Sequence, residues 1–435
     1  MRVFEYTKVG VGGECNNQTL SEKEIEILLN NDKLLKEKKI IEKSFFRWVG
    51  RDQIEFLNYA GIVSLDARQI EILPKIFAFK SENETESEKS FIAFARMISY
   101  VFNSTKFDIE LIHMTESEKV GVLDIIIFFY ISSLKTAVKR GIHNQYETEI
   151  FESRFIKGKI CFNQQINKLP GNAYYQESHI FTSNNELMKY LKSCTLFFVK
   201  ISQSKWLKQQ IHRLSSLFDE VDTVDISQIR YKIITFNRLN SHYQDAYDLS
   251  KLILSSMLLK PSSEVSHSGL VFLIDMNKLF ENFFATFIEK NLEKLTKQFV
   301  SSKVLKRNSS KHLFIDRNVS PLIPDIRVLN RSNITELVFD TKYKIQSDSK
   351  IQSDGLTKVE KGDLYQMYAY SNKYQAKETI LVYPSLKETT EQDCLKFEEA
   401  QNFRIWDINL NLLDANWEEE LVKDLSNLFL NISSI

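Results

Sequence analysis

The chain is short of cysteine, glycine and proline, with 4, 12 and 6 of them in 435 residues. Its cysteines, Cys15, Cys161, Cys194 and Cys394, lie far apart without a C-x-x-C pair. That argues against a zinc ribbon and against a disulfide framework, and leaves buried free thiols as the plain reading. The 7 histidines show neither H-x-x-x-H nor H-E-x-x-H spacing, which disfavours a histidine-based zinc hydrolase. No G-x-x-x-x-G-K-[ST] loop occurs, so the chain is not expected to bind nucleotide phosphates itself. The longest apolar run, Ile125 to Ile131, is far shorter than the roughly 20 residues that cross a bilayer, so no membrane contact is expected. The opening Met-Arg-Val-Phe-Glu-Tyr does not read as a secretory signal, which makes the cytoplasm the default compartment. Net charge is also missing: Lys+Arg and Asp+Glu both number 57. Any nucleic-acid contact therefore has to come from a local basic surface.

What is present reads as a globular protein, 43% hydrophobic and 26% charged. The length exceeds one ordinary core and predicts an α+β multidomain chain. Residues 1–85 predict a β-rich N-terminal domain, with alternation in Ile54 to Tyr59 and Ile70 to Ile76, interrupted by a charged helix from Ser21 to Lys43. An acidic stretch, Ser81 to Glu88, reads as a boundary or as a solvated turn within one domain. Residues 86–265 predict a mainly helical middle domain, with apolar spacing of three to four in Phe91 to Phe102, Leu123 to Val138 and Leu187 to Val199. A β-like interruption falls at Arg154 to Ile160, and a long core-facing helix is predicted from Asn237 to Leu259. Residues 266–435 change to helix, strands, helix, strands, helix. Asp275 caps a helix from Met276 to Leu292, and strands follow at Val304, His312 to Asp316, Ile323 to Leu329 and Glu336 to Lys344. A helix from Asp363 to Tyr374, strands Thr379 to Tyr383 and Phe403 to Asn409, and a helix from Trp417 to Leu430 complete helices on a mixed sheet. The duplicated Lys-Ile-Gln-Ser-Asp at 344–348 and 350–354 is too short for a solenoid and reads as a surface loop.

Chemistry concentrates in Pro324-Asp325-Ile326-Arg327 and Asp340-Thr341-Lys342, with fourteen residues between the two acids. A turn at Asn330 to Asn333 lets the two strands pair as a hairpin, which brings Asp325 and Asp340 together. Period-two alternation puts Asp340 and Lys342 on one sheet face. Two converging carboxylates repel unless a cation neutralises them, and hard oxygen ligands suit Mg²⁺, with Mn²⁺ as a substitute and Thr341 as a further ligand. Such a metal acidifies water and polarises a phosphate, while Lys342 positions that water and offsets developing negative charge. Taken alone, Asp340-Thr341-Lys342 reads first as an exposed strand edge of alternating charges. Gln366 and Tyr370, at i and i+4, share a helix face toward the sheet, or else are a core tyrosine beside a solvated glutamine. Glu281 is a candidate third metal ligand, or a surface glutamate beside a phenylalanine-rich stripe.

At these residues the chain resembles the McrC family of modification-dependent and LlaJI-type restriction subunits. Similar blocks follow in the family's order: Tyr59-Ala-Gly-Ile-Val with Leu73-Pro-Lys-Ile76, Gly141-Ile-His with Tyr146, Ile156-Lys-Gly-Lys-Ile160, Phe236 to Tyr243, and Met276 to Glu281. Each is short; their ordered combination carries the likeness, and the chain departs from it in the duplicated loop and a longer helical middle. The resemblance implies a restriction-endonuclease-like C-terminal core with a PD-(D/E)xK signature at Asp325, Asp340 and Lys342, and an accessory motif shared with RecB-like nucleases at Gln366 and Tyr370. It implies Mg²⁺-dependent cleavage of double-stranded DNA when assembled with an AAA+ GTPase or ATPase ring, which the N-terminal region docks on. No iron–sulfur cluster is expected. Lys303, Lys306, Arg307, Lys311, Arg317 and Arg327 are the expected backbone contacts, or a solvated charged face. The alternatives are a non-catalytic scaffold that stimulates the ring, or a stand-alone repair nuclease that cuts with metal alone.

Overall fold

The computed structural model describes residues 1–12, 19–65, 68–75, 84–102, 121–166, 173–258, 270–295, 303–307, 311–312, 321–344, 359–385, 391–396, 402–414 and 416–433. The chain forms two compact units, Met1–Thr105 with Leu273–Ile435, and Lys106–Phe272. The duplicated loop beyond Lys344, most of the strand expected at His312 to Asp316, and Arg317 lie outside the described residues.

In the first unit, the N-terminal segment is β-rich as its alternation predicts. One sheet runs in the order Thr19–Leu20, Lys8–Val11, Gln53–Phe56, Phe46–Trp48; a second carries Arg2–Phe4, Gln69–Leu73, Tyr59–Ser64 and Val271–Asp275 in order. The charged helix starts where expected, with Ser21 and Glu24 forming a reciprocal capping box, but spans only Glu22–Glu37. It stops short of Lys43 because Lys39 turns left-handed at φ 55°, a conformation that ends a helix.

The C-terminal segment builds a six-stranded sheet in the order Lys303–Lys306, Ile326–Leu329, Thr335–Thr341, Glu378–Ser385, Asn402–Asn409, Glu391–Lys396. The first three strands are antiparallel, and the next two join parallel to Thr335–Thr341. Helix Lys361–Tyr374 covers one face, where Val338, Leu381 and Ile405 pack with Met367, Tyr370 and Tyr374. On the other face Phe339 meets Phe284 of helix Met276–Leu295, Trp406, and Phe429 of helix Trp417–Ser433. Asp275 caps the first of these helices, accepting from the Asn277 and Lys278 amides.

Sequence pattern divides the chain at 1–85, 86–265 and 266–435, whereas the compact units group its two ends together. Named bonds account for this. Asn58 meets Asn277, Lys278 meets Glu42, the Arg96 guanidinium donates to the Leu412 and Asp414 carbonyls, and Tyr100 donates to Glu418.

The second unit packs helices Val122–Val138, Glu186–Ile201, Lys205–Ser215 and Gln244–Ser255. The Tyr130 and Phe198 rings meet edge to face at 4.9 Å, and buried Asp124 accepts from the Ser202 hydroxyl at 2.7 Å. Two expectations are corrected here. The β structure is not confined to the interruption expected at Arg154 to Ile160: Gln145–Ser153 and Tyr174–Thr182 pair antiparallel, with Lys159–Ile160 added at the edge. Gly158 is required there, since a Cβ would sit 2.1 Å from the Glu177 carbonyl oxygen. Nor does a helix run from Asn237 to Leu259. Asn240 Oδ1 accepts from the Asn237 amide and Asn237 Oδ1 from the Leu239 amide, local bonds that compete with helix, so the helix begins at Gln244.

Phe339 stands where three aromatic contacts converge. Phe339→Ala is expected to cost about 3–5 kcal/mol of unfolding free energy, measured by urea denaturation of the full chain. A loss under ~1 kcal/mol would contradict the packing described.

Candidate active site

The hairpin that positions the acids is closed by a side chain. Asn330 Oδ1 accepts from the amides of Ser332 and Ile334, Asn333 adopts φ 59°, and the Asn330 amide donates to the Ile334 carbonyl. This fixes Ile326 opposite Phe339, so the next step along the ladder sets Asp325 opposite Asp340. Asp325 Oδ2 accepts from the Thr341 amide at 2.7 Å and the Thr341 hydroxyl at 2.8 Å. Helix Lys361–Tyr374 holds the preceding turn: the Tyr370 hydroxyl donates to the Ile323 carbonyl at 2.9 Å, and that of Tyr374 to Leu322 at 2.7 Å.

Asp340 is buried, 2% exposed, and on the face covered by that helix. The Lys342 ammonium lies 2.7 Å from its Oδ2 as an ion pair, and that oxygen has no further hydrogen-bond partner among the described residues. Lys342 lies one residue past the strand end, but its amide still donates to the Val382 carbonyl at 2.8 Å. Its ammonium also donates to Gln366 Oε1 at 3.1 Å and sits 3.8 Å from Asp363. Gln366 Nε2 donates to the Tyr370 hydroxyl at 2.7 Å and, more distantly, to Asp340 Oδ1 at 3.5 Å. The structure thus brings Asp325, Asp340, Thr341, Lys342, Gln366 and Tyr370 into one connected group.

Glu281 joins this group through charge. It is buried on the Met276–Leu295 helix, and the Arg307 Nε–H donates to its Oε1, while the Arg307 amide donates to the Asp325 carbonyl. Burial, with Asp325 and Asp340 adding to it, pushes Glu281 up to about 7 against the pull of Arg307. Burial likewise, with Asp325 second, pushes Asp340 up to about 7 despite Lys342. Burial opposes the Lys342 charge, but Asp340, Asp363 and Asp325 outweigh it and hold the ammonium above its ordinary value. Among the described residues no three histidine, cysteine, aspartate or glutamate side chains converge as a ready cation cage.

Sequence reasoning did not single out Asp363, read only as a helix start, although it flanks both Lys342 and Lys344. It also placed Arg327 among exposed phosphate contacts. Arg327 is instead buried, its guanidinium 4.5 Å from the Tyr374 ring centre, because position 327 alternates inward on a covered strand. Lys306 pairs with Glu289 and Lys311 donates to the Lys373 carbonyl, whereas Lys303 is exposed.

A family model described as the McrBC 5-methylcytosine restriction system component matches residues 54–384. Among solved structures, a half-complex of Thermococcus gammatolerans McrB AAA+ hexamers with bound McrC is similar, with 20% identity, 98% of this chain and 99% of that one covered, and a TM-score of 0.66. A second structure, the Thermococcus gammatolerans McrBC complex, is 21% identical over 67% of this chain and 88% of that one, with a TM-score of 0.49. No curated protein matches. Among the described residues no helix is long and apolar enough to cross a membrane.

The raised carboxyl groups set a pH dependence. Between their ordinary values, 3.8 and 4.5, and about 7, the native chain without divalent ions holds more protons than the unfolded chain. The contribution of these groups to stability therefore falls as pH rises through that window. Asp340→Asn is expected to flatten this dependence, raising Tm more at pH 8 than at pH 5. Equal shifts at both pH values in scanning calorimetry would contradict the coupling.

Proposed function

Because the chain belongs to the McrBC 5-methylcytosine restriction system component family, we propose that it is the DNA-cleaving subunit of such a system. It hydrolyses phosphodiester bonds of double-stranded DNA at a PD-(D/E)xK nuclease site. The observation that carries this reading is the meeting of Asp325, Asp340 and Lys342 at the end of one hairpin, with Glu281 electrostatically coupled to both acids.

The donor set fits a hard divalent cation, Mg²⁺ or Mn²⁺. Among the described residues the buried Asp340 Oδ2 has no partner beyond its ion pair with Lys342, and burial raises both Asp340 and Glu281 with the Asp325 charge adding to each, a cost that a cation removes. No three acidic side chains among the described residues already converge as a cage, so Asp325, Asp340, the Thr341 carbonyl and Glu281 are the groups that would be drawn together to hold it. When bound, the cation supplies positive charge that polarises a phosphodiester and acidifies water. The chain's own groups do the rest. Thr341 fixes the Asp325 carboxylate, Asp340 with Gln366 and Asp363 fixes the Lys342 ammonium, and that fixed charge offsets the negative charge developing on the phosphate. Tyr370 acts one step back, as the anchor of Gln366.

The solved relative is McrC bound to McrB AAA+ hexamers, and we assign this chain the same kind of partner, an AAA+ ring. The chain's own sequence lacks a P-loop, consistent with nucleotide hydrolysis belonging to the ring. The docking surface is better supported in the second unit than in residues 1–85. Around the Gln145–Thr182 hairpin Tyr146, Phe155 and Phe181 are 73%, 74% and 60% exposed, an apolar surface of the kind that marks protein interfaces.

Asp340→Ala and Lys342→Ala are each expected to abolish cleavage in an assay with ring, nucleotide, Mg²⁺ and DNA, while ring binding is unchanged. Persistent cutting by both variants would refute the site. Phe155→Asp and Phe181→Asp, which alter exposed side chains, are expected to weaken binding of the purified ring at least about tenfold without changing the Tm of the free chain. Undiminished binding in both would move the docking surface elsewhere.

A further inference from the structure

Lys75, two residues past the strand Gln69–Leu73 of the N-terminal sheet, and Tyr343 beside the active site are joined by a buried polar network that the proposed chemistry does not use. Tyr343 follows Lys342 directly and is fully buried. Its hydroxyl donates to Glu5 Oε2 at 3.1 Å, and its carbonyl accepts from the Lys75 ammonium at 3.3 Å. The Lys75 amide donates to the same Glu5 oxygen at 3.0 Å. The Lys75 ammonium lies 3.8 Å from the centre of the Tyr6 ring and 4.8 Å from that of Tyr343. Tyr6 is held left-handed at φ 64°, a strained conformation for a bulky residue, with its amide donating to the Phe56 carbonyl. On its other side the Tyr343 ring meets Phe280, the residue before Glu281, at 5.9 Å.

Stability alone is a poor account of this arrangement. Burial pushes Glu5 up and Lys75 down, so each charge is costly where it stands. Well-packed apolar residues of the same volume generally serve stability as well or better. What the network adds is direction: both the hydroxyl and the carbonyl of Tyr343 are fixed, which leaves the backbone after Lys342 one position.

We propose that Glu5, Lys75 and Tyr343 are positioning residues for the cleavage reaction, by which the N-terminal sheet holds Lys342 and the Glu281 turn of its helix in working geometry. This rests on the nuclease reading of the site. None of the three touches the reacting atoms; they act through Lys342 and Phe280. Misplacing a catalytic group by about 1 Å costs on the order of a hundredfold in rate, so loss of one anchoring bond is expected to cost roughly tenfold.

The test compares Tyr343→Phe, the double variant Glu5→Gln with Lys75→Met, and Asp340→Ala, each in the full chain assembled with its ring, nucleotide and Mg²⁺. The readouts are the single-turnover cleavage rate, DNA affinity and Tm. A rate lowered roughly tenfold in the first two, with DNA affinity within about twofold and Tm near native, supports positioning. Native rates in both, alongside an inactive Asp340→Ala, overturn the positioning role and leave the site intact. A deficit that vanishes on cooling to where the variants are fully folded also overturns it, because the role is then only structural. Cutting by Asp340→Ala instead overturns the nuclease reading itself, and this inference with it.

Discussion

The antiparallel pairing of Ile326–Leu329 with Thr335–Thr341 is the constraint on which the rest depends. Two acids fifteen positions apart have no reason to approach, and their charges oppose it. Ladder hydrogen bonds and apolar side chains on alternate positions force the approach. Val338 and Phe339 face opposite layers of core, so a slip by one residue would carry each into a layer packed for the other and turn Asp340 away from the helix that holds Gln366. The register that satisfies the core is the register that sets Asp340 beside Lys342 and opposite Asp325.

Around that pairing, polar groups are anchored one on the next. Tyr370 is anchored on a backbone carbonyl, Gln366 on Tyr370, Lys342 on Gln366 and Asp340, and Asp325 on Thr341. Such a chain of fixed donors stands ready to meet charge without reorganising, which is the condition under which buried polar groups act strongly. Oδ2 of Asp340 is paired with the ammonium of Lys342 and has no further hydrogen-bond partner among the described residues.

Much of this was legible in the sequence, because the signals involved are local. Pro324 to Arg327, an Asn-rich turn, and Asp340 to Lys342 specify a hairpin, and Gln366 with Tyr370 share a helix face by spacing alone. The capping residues Ser21 and Asp275 also gave their helix starts directly. What stayed hidden was set by distant contacts. The Gln145–Ser153 and Tyr174–Thr182 strands carry polar residues on both faces, so their period did not separate them from loop. Asn237 and Asn240 stopped a helix through side-chain bonds that periodicity does not register. Arg327 reads as a solvated cation until the covering Tyr374 is seen. Nothing near Glu5 or Lys75 in the chain points to Tyr343, more than 260 positions away.

The first unit is written in two instalments, with Lys106–Phe272 between them. During synthesis the early sheet emerges with Asn58, Arg96 and Tyr100 still lacking the partners they take in the finished molecule, Asn277, the Leu412 carbonyl and Glu418. The intervening segment has its whole core in hand long before then, and domains generally fold as they emerge. Both acids and the lysine are translated before the helix at Trp417 that closes their sheet. A ribosome-bound chain therefore carries Asp325, Asp340 and Lys342 before the helix that completes their sheet has been made.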